Sequence, residues 1–155
     1  MTKHIWSVLC KKTIIDTDTN SISLIDVFEQ LQTKVNLPQN KNIKLSIPLE
    51  YEVVNFWYKE NTDKKEEVDV EITLIDPNNK SLKSFINTIT IPDNKKRVRT
   101  RLKITGLPIT ISGIYRFIVK IKEKNTKNYK QVAELPIEIK IERIINQSIA
   151  KKISN

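Results

Sequence analysis

Apolar and polar residues alternate along most of this chain with a period of two, which is the period of a β-strand. The clearest example is Gly113–Glu123, GIYRFIVKIKE. One face carries apolar side chains and the other carries cations: Tyr115, Phe117, Val119 and Ile121 against Arg116, Lys120 and Lys122. Aromatic and β-branched residues suit a half-buried pleated surface. The pattern predicts a strand with Phe117 in the core, and Trp6 and Trp57 are expected to pack near it.

The same alternation recurs in shorter segments separated by turn-forming residues. It predicts strands at 4–10, 43–59 (one or two, interrupted near Pro48), 68–75, 82–91, 97–104 and 131–142. Residues 22–33 are compatible with a helix or a strand, and their Ile, Val and Phe content favours the strand. About nine short strands indicate a β-sandwich or a barrel. We predict one domain over 1–142 and a weakly helical or frayed tail over 143–155.

Turn chemistry has to come from residues other than glycine, because the chain contains only two glycines. Asn and Asp are therefore expected at turn positions with positive φ. The run Asp16–Asn20 has the D-x-D-x-N spacing of a calcium loop, but Ser21 and Val27 stand where that loop needs its glycine and its bidentate glutamate. A hairpin turn is favoured over a metal site, and no metal or cofactor is predicted.

Several framework motifs together resemble a known family. They are WSVLC at 6–10, Asp16, SLIDVFE at 23–29 and GIYRFIV at 113–119. The chain resembles a family of small uncharacterised bacterial proteins with an immunoglobulin-like fold. The resemblance implies a single immunoglobulin-like antiparallel β-sandwich of seven to nine strands, and it supports a strand at 22–31. It implies no activity and no site residue.

The start of the chain and its cysteine content bear on location. The apolar run Ile5–Leu9 is too short for a signal peptide, and no segment is long and apolar enough for a membrane helix. The single cysteine, Cys10, excludes an internal disulfide and is expected to be buried. This fits a reducing compartment, although a bacterial envelope protein can also lack disulfides. A cytoplasmic location is the expectation.

Residues suited to catalysis are scarce. His4 is the only histidine, and an extended strand would hold it ~20 Å from Cys10. The chain has no glycine-rich phosphate loop. Glu50 and Glu52 share a strand face, which outward-facing polar alternation explains. We predict that the protein is not an enzyme.

Charge is distributed unevenly along the chain. The formal net charge is +9, with −4 in residues 1–77 and +13 in residues 78–155. The densest stretch predicts a strand with four cations on one face: Arg97, Arg99, Arg101 and Lys103. Arg116, Lys120 and Lys122 form a second row, which would join the first if both strands lie in the same sheet. Arginine dominates the first row, and its planar group suits phosphate or carboxylate.

Two interpretations of these rows stay open. The first is a solvated sheet face whose cations protect an edge from aggregation. The second is a surface for a polyanion, such as nucleic acid or an anionic surface, although neither row contains the aromatic residues that would stack on bases. We expect a non-enzymatic binding or assembly module, first for a protein partner and alternatively for a polyanion through the Arg97–Lys103 stripe. The sequence leaves the oligomeric state open.

Overall fold

A computed structural model describes residues 1–36 and 45–144. Over these residues the chain forms nine strands and no helix. The strands are β1 (Thr2–Ile15), β2 (Ile22–Val27), β3 (Gln30–Asn36), β4 (Leu45–Lys59), β5 (Glu66–Ile75), β6 (Ser81–Ile91), β7 (Arg97–Ile109), β8 (Gly113–Glu123) and β9 (Lys130–Ile144). They form a four-stranded sheet A, in the order β2-β1-β4-β7, and a five-stranded sheet B, in the order β3-β9-β8-β5-β6.

The strand order is that of an immunoglobulin-like sandwich, as the sequence predicted. Strands β5, β8 and β9 occupy the places of strands C, F and G in one sheet, and β4 and β7 occupy those of B and E in the other. All strand pairs are antiparallel except β3 with β9, which is parallel. The predicted antiparallel sandwich thus carries one parallel strand pair at an edge of sheet B.

The ambiguous segment 22–33 is extended, which confirms the strand prediction, but it supplies two strands rather than one. Ile22–Val27 pairs with β1 in sheet A, and Gln30–Asn36 pairs with β9 in sheet B. Phe28 and Glu29 carry the chain from one sheet to the other, and the amide N–H of Glu138 donates to the carbonyl of Glu29 at 2.9 Å. The two-residue period is the same in strands of either sheet, so the sequence pattern does not reveal where the chain crosses from one sheet to the other.

Other predicted strands are right in place but wrong in length. The first strand continues to Ile15, well beyond the predicted end at residue 10. The strand predicted at 97–104 runs on to Ile109. Strand β9 ends at Ile144, and the rest of the predicted tail, 145–155, lies outside the described residues. The register of β4 against β7 shifts between Ile47 and Glu50, which places Pro48 at the predicted irregularity.

The core lies between the two sheets and follows the predicted strand faces. Tyr115, Phe117, Val119 and Ile121 of β8 are all buried. The Phe117 ring meets the Tyr51 ring of β4 edge to face, with ring centroids 5.9 Å apart. This pair links strands that in antibody domains are joined by a disulfide.

The two tryptophans have different environments. Trp57 is fully buried in the core, as predicted. Trp6 is only half-buried and contacts the ring of Phe56 at 5.5 Å between centroids. Phe56 lies opposite Arg99 in the pairing of β4 with β7. The residues of β4 that face the core are Tyr51, Val53 and Trp57, so Phe56 faces the other way. Trp6 therefore packs on the outer face of sheet A, and the prediction that it joins the core is wrong.

Tyr115 adds a feature that is characteristic of immunoglobulin-like domains, a tyrosine corner at the start of the strand in position F. Its hydroxyl donates to the carbonyl of Ile111 at 2.8 Å and accepts from the amide N–H of Thr110 at 2.7 Å. Thr110 Oγ1 donates to Asp76 at 3.0 Å, and this contact ties the β7–β8 turn to the β5–β6 turn.

Removing the corner hydroxyl should destabilise the fold without changing its core shape. We expect Tyr115→Phe to lower the free energy of unfolding by about 1–3 kcal/mol, because backbone groups beside a buried ring lose their partner. Urea denaturation measures this change. Tyr58→Phe is the matched control, since the Tyr58 hydroxyl makes no hydrogen bond within residues 1–36 and 45–144. Equal stability losses in the two variants would show that the corner contributes nothing.

The turns use Asn and Asp as the glycine count predicted. Asn20 and Asn79 lie in turns and have positive φ, and so do Asp26 near the end of β2 and both glycines. At the Asp16–Asn20 turn, the Asp16 carboxylate accepts the amide N–H groups of Thr19 and Asp18, and these hydrogen bonds lower its pKa. The run is thus a hairpin turn held by its own side chain, as predicted.

Candidate anion-binding surface

The first basic row lies on an edge strand and points outward. Strand β7 ends the order of sheet A, so one of its edges pairs with β4 and no strand of the described chain pairs with the other. Arg97, Arg101 and Lys103 are exposed and Arg99 is half-buried. The four cations span ~20 Å along the strand at ~3.4 Å per residue. The predicted outward orientation of this row is confirmed.

The neighbouring strand places aromatic rings beside the row. Across the β4–β7 ladder, Tyr58 lies opposite Arg97 and Phe56 lies opposite Arg99. Directly opposite residues in an antiparallel pair project from the same face of the sheet. The basic rows themselves contain no aromatic residue, but β4 places two aromatic rings beside the first row.

Two of the arginines lie across the sheet rather than straight out into solvent. Arg99 Nη2 donates to the carbonyl of Asn20, and Arg101 Nη1 donates to Thr13 Oγ1 at 2.8 Å. Both side chains therefore reach over β4 towards the β1–β2 hairpin. Val54 lies opposite Arg101 and is completely buried, although it is on the outer face of the sheet. The aliphatic part of a long cationic side chain can cover apolar surface in this way.

Glu52 is buried on the same face, which the sequence did not predict. The residue is 6% exposed, and Thr13 Oγ1 donates to its carboxylate at 2.6 Å. Arg101 reaches the same threonine oxygen, so one hydroxyl links the cation to the carboxylate. The expectation that Glu52 faces solvent is wrong, while Glu50 is exposed as expected. Arg101 therefore has a structural role in addition to its charge.

None of the four β7 cations is neutralised by an ion pair. The ion pairs formed within residues 1–36 and 45–144 involve other cations, even though Lys103 lies opposite Glu52 in the ladder. The oxygens that Arg99 and Arg101 contact belong to a carbonyl and a hydroxyl, which carry no net charge. None of the four cations therefore contacts a carboxylate directly, and the Glu52 carboxylate is linked to Arg101 only through the Thr13 hydroxyl.

The second basic row is on the other side of the molecule. Strand β8 lies in the middle of sheet B, so Arg116, Lys120 and Lys122 cannot join the β7 row. The prediction of one continuous patch required both strands in one sheet, and this condition is not met. Alternation within a strand specifies its two faces but not the sheet that the strand joins.

Carboxylates compensate the second row. Lys122 pairs with Asp69 at 3.0 Å and Lys120 with Glu71 at 3.8 Å, both on β5, and Arg116 pairs with Glu134 of β9 at 3.7 Å. Hydrogen bonds from Thr88 and then from Lys122 lower the pKa of Asp69. This face of sheet B is a mosaic of alternating charge. Of the seven predicted polyanion-binding residues, the structure therefore groups four on an open cationic surface and separates three from it.

A histidine–serine contact inside the sandwich resembles part of a catalytic site. His4 Nε2 lies 2.7 Å from Ser7 Oγ, a distance typical of a general base and its nucleophile. Ser7, however, donates its proton to Asn55 Oδ1 at 2.6 Å, so His4 acts as the donor to Ser7. The Asn55 amide and the Trp57 indole both donate to Thr100 Oγ1. The contact is part of a polar network that holds β1, β4 and β7 together.

This network predicts a pH dependence of stability. Burial lowers the pKa of His4, although a backbone hydrogen bond with Trp6 partly opposes the shift. An unfolded histidine titrates near ~6.5, so below that pH the unfolded state binds protons more readily and stability falls. We expect the free energy of unfolding to drop between pH 7.5 and 5.5 in the parent and less in His4→Gln. The carboxylates whose pKa is lowered change the free energy of unfolding only at more acidic pH. Identical slopes in both proteins would contradict this role for His4.

A cleft of about 330 Å³ opens where the chain crosses from β2 to β3. Phe28, Ile114 and Pro136 are among the residues that line it, and Glu29 and Glu138 supply carboxylates. Its volume is at the lower end of the range of ligand sites. With so few polar groups converging on an apolar lining, the cleft indicates no particular ligand.

Metal-binding clusters and membrane helices are both absent from the described part of the chain. Within residues 1–36 and 45–144, no group of three or more histidine, cysteine, aspartate or glutamate side chains is placed to hold a metal ion. Nor do these residues include a helix that could cross a membrane.

No family model and no curated protein matches the sequence. Among solved structures, a β-glucuronidase from glycoside hydrolase family 2 is similar over 63% of this chain and 11% of its own, with a TM-score of 0.42 and 16% identity. A glycosyl hydrolase family 2 member from Bacteroides cellulosilyticus is similar over 62% of this chain and 12% of its own, with a TM-score of 0.40 and 15% identity. The chain thus spans about a tenth of each enzyme.

Proposed function

We propose that the protein is a non-enzymatic binding module that holds a negatively charged partner on the β7 side of sheet A. One observation carries the proposal. The cations of β8 all have carboxylate partners, whereas those of β7 have none within the described residues. If both rows were only solvated sheet faces, there would be no reason for the β8 cations to have carboxylate partners while the β7 cations have none. The β7 row is therefore the surface on which an external anion finds unpaired cations.

The chemistry of the row suits phosphate, sulfate or carboxylate groups. Arginine offers several N–H donors in a planar arrangement, and Arg99 and Arg101 are already oriented by contacts with Asn20 and Thr13. Holding these side chains in place reduces the conformational entropy lost on binding. The positive potential of the row would also accelerate association with an anionic partner at low salt.

Nucleic acid is the second candidate, because Phe56 and Tyr58 lie beside Arg99 and Arg97. Base stacking needs an accessible ring face. Phe56 is half-buried and packs against Trp6, so its ring is already engaged. Of the two rings only Tyr58 is then left for stacking, so binding to nucleic acid would rely mainly on phosphate contacts, which carry no sequence information.

Paired charge variants test the proposal. The stripe variant replaces Arg97, Arg99 and Lys103 by Gln, and it keeps Arg101 because this residue donates a hydrogen bond to Thr13, the partner of the buried Glu52. The control replaces Arg116, Lys120 and Lys122 by Gln, which removes the same charge from sheet B. Binding of a heparin oligosaccharide is measured over a salt series.

The stripe variant should bind heparin at least tenfold more weakly at low salt than the control does. The slope of log K against log salt should also become shallower by roughly two, since each cation that binds an anionic group of the oligosaccharide adds ~0.7–0.9 to the slope. The control should resemble the parent. Equal weakening in the two variants would mean that only net charge matters, and the β7 row would then be an ordinary solvated face.

A further inference from the structure

We infer that the partner is a protein whose extended acidic segment adds to the free edge of β7 as a further strand of sheet A. This inference rests on the proposed function and names its partner class. Strand β7 is 13 residues long, and its outer edge is unpaired within the described chain. An unpaired edge presents backbone N–H and C=O groups to a partner strand.

The spacing of the cations determines which kind of segment can pair with the edge of β7 as an additional strand. Arg97, Arg99, Arg101 and Lys103 occur at every second residue and share the outer face. A strand paired with β7 places its own side chains at the same two-residue interval, directly opposite these cations. A segment with Asp or Glu at alternate positions would therefore bring carboxylates next to Arg97 and Lys103, while Arg99 and Arg101 would have to turn from Asn20 and Thr13 to reach the same segment.

The same row excludes the commonest unwanted partner, which is another copy of this chain. Two β7 edges side by side would bring arginine and lysine rows together, and like charges directly opposite one another are destabilising. A neutral strand would leave the cations without compensation. The charges at this edge thus favour an acidic strand over a second copy of β7.

Strand β6 has the other long edge that is unpaired within the described residues, and it provides an internal contrast. Strand β6 ends the order of sheet B, and its outward residues include Ile86, which is 66% exposed. The β6 residues opposite Glu67, Asp69 and Glu71 are Thr90, Thr88 and Ile86, so this side of the edge carries no cation row. An acidic segment that recognises backbone and charge together should add to β7 and leave β6 unchanged.

Three synthetic nonapeptides of the same charge test the inference. The first alternates Glu with Val, the second groups the same residues into an acidic and an apolar block, and the third is the alternating peptide with N-methyl groups on alternate amides. Affinity is measured by titration, and amide hydrogen exchange is followed along β7 and β6.

The alternating peptide should bind at least tenfold more tightly than the other two, and it should slow exchange in β7 but not in β6. Equal, salt-sensitive affinities for all three peptides would overturn strand addition and leave anion binding intact. Binding of heparin or duplex DNA without binding of any peptide would overturn the protein partner in favour of a polyanion. If neither heparin nor any peptide binds, the proposed function fails as well.

Discussion

Phe117→Ala should lower the free energy of unfolding by about 3–5 kcal/mol, the range observed for deleting a fully buried aromatic ring. Phe117 is 1% exposed and lies on the central strand of sheet B. Its ring contacts Tyr51 on the facing sheet, so the substitution removes a contact between the two sheets as well as apolar burial. Chemical denaturation with guanidinium measures the loss.

Phe85→Ala makes the same chemical change on the edge strand β6, where the ring is half-buried and lies beneath Lys83. It should cost clearly less than Phe117→Ala, because more of its surface is already in contact with water. A loss for Phe117→Ala no greater than that for Phe85→Ala would contradict the placement of Phe117 between the sheets. The assignment of strand faces along β8 would then be wrong.

Lys59→Ala should destabilise the fold by roughly 2–4 kcal/mol, although lysine is normally a tolerant surface residue. Lys59 is completely buried at the end of β4. Its ammonium donates to the carbonyls of Lys64 and Pro92 at 2.7 and 2.6 Å. The alanine variant would leave these two carbonyls without their donor and would remove the packed aliphatic stem.

Two further variants separate the contributions of Lys59. Lys64→Ala removes an exposed lysine side chain but keeps the backbone carbonyl that Lys59 uses, and it should be nearly neutral. Lys59→Met keeps most of the stem and loses the donors, so its stability should lie between the parent and Lys59→Ala. Equal stability of Lys59→Ala and Lys64→Ala would show that the buried ammonium does not hold the two loops.

The structural features that depend on alternation within a single strand were predicted correctly from the sequence. The inward face of Tyr115 and Phe117, the outward face of the β7 cations and the Asn and Asp turns all follow from local pattern, and all are present. Side-chain direction in a strand is set by the two-residue period, so such predictions need no knowledge of the neighbours. The irregularity near Pro48 has the same local origin.

Features that depend on which strands pair with each other could not be predicted from local alternation. The separation of the two basic rows follows from β7 and β8 joining different sheets, and the aromatic rings beside Arg97 and Arg99 come from a strand some 40 residues earlier. Burial of Glu52 and Lys59 requires groups from β1 and from two loops. Both are charged, and a charged residue in a strand is by itself expected to be exposed.

The measurement that tests the central claim most directly is the mapping of a bound anion on the folded protein. Amide chemical shifts are recorded while a heparin oligosaccharide is added at low salt. The β7 row should respond first, with the largest changes at Arg97, Arg99, Arg101 and Lys103, smaller ones at Phe56 and Tyr58, and none along β8. Changes centred on Arg116, Lys120 and Lys122, or spread evenly over both sheets, would contradict the assignment of the β7 side of sheet A as the binding surface.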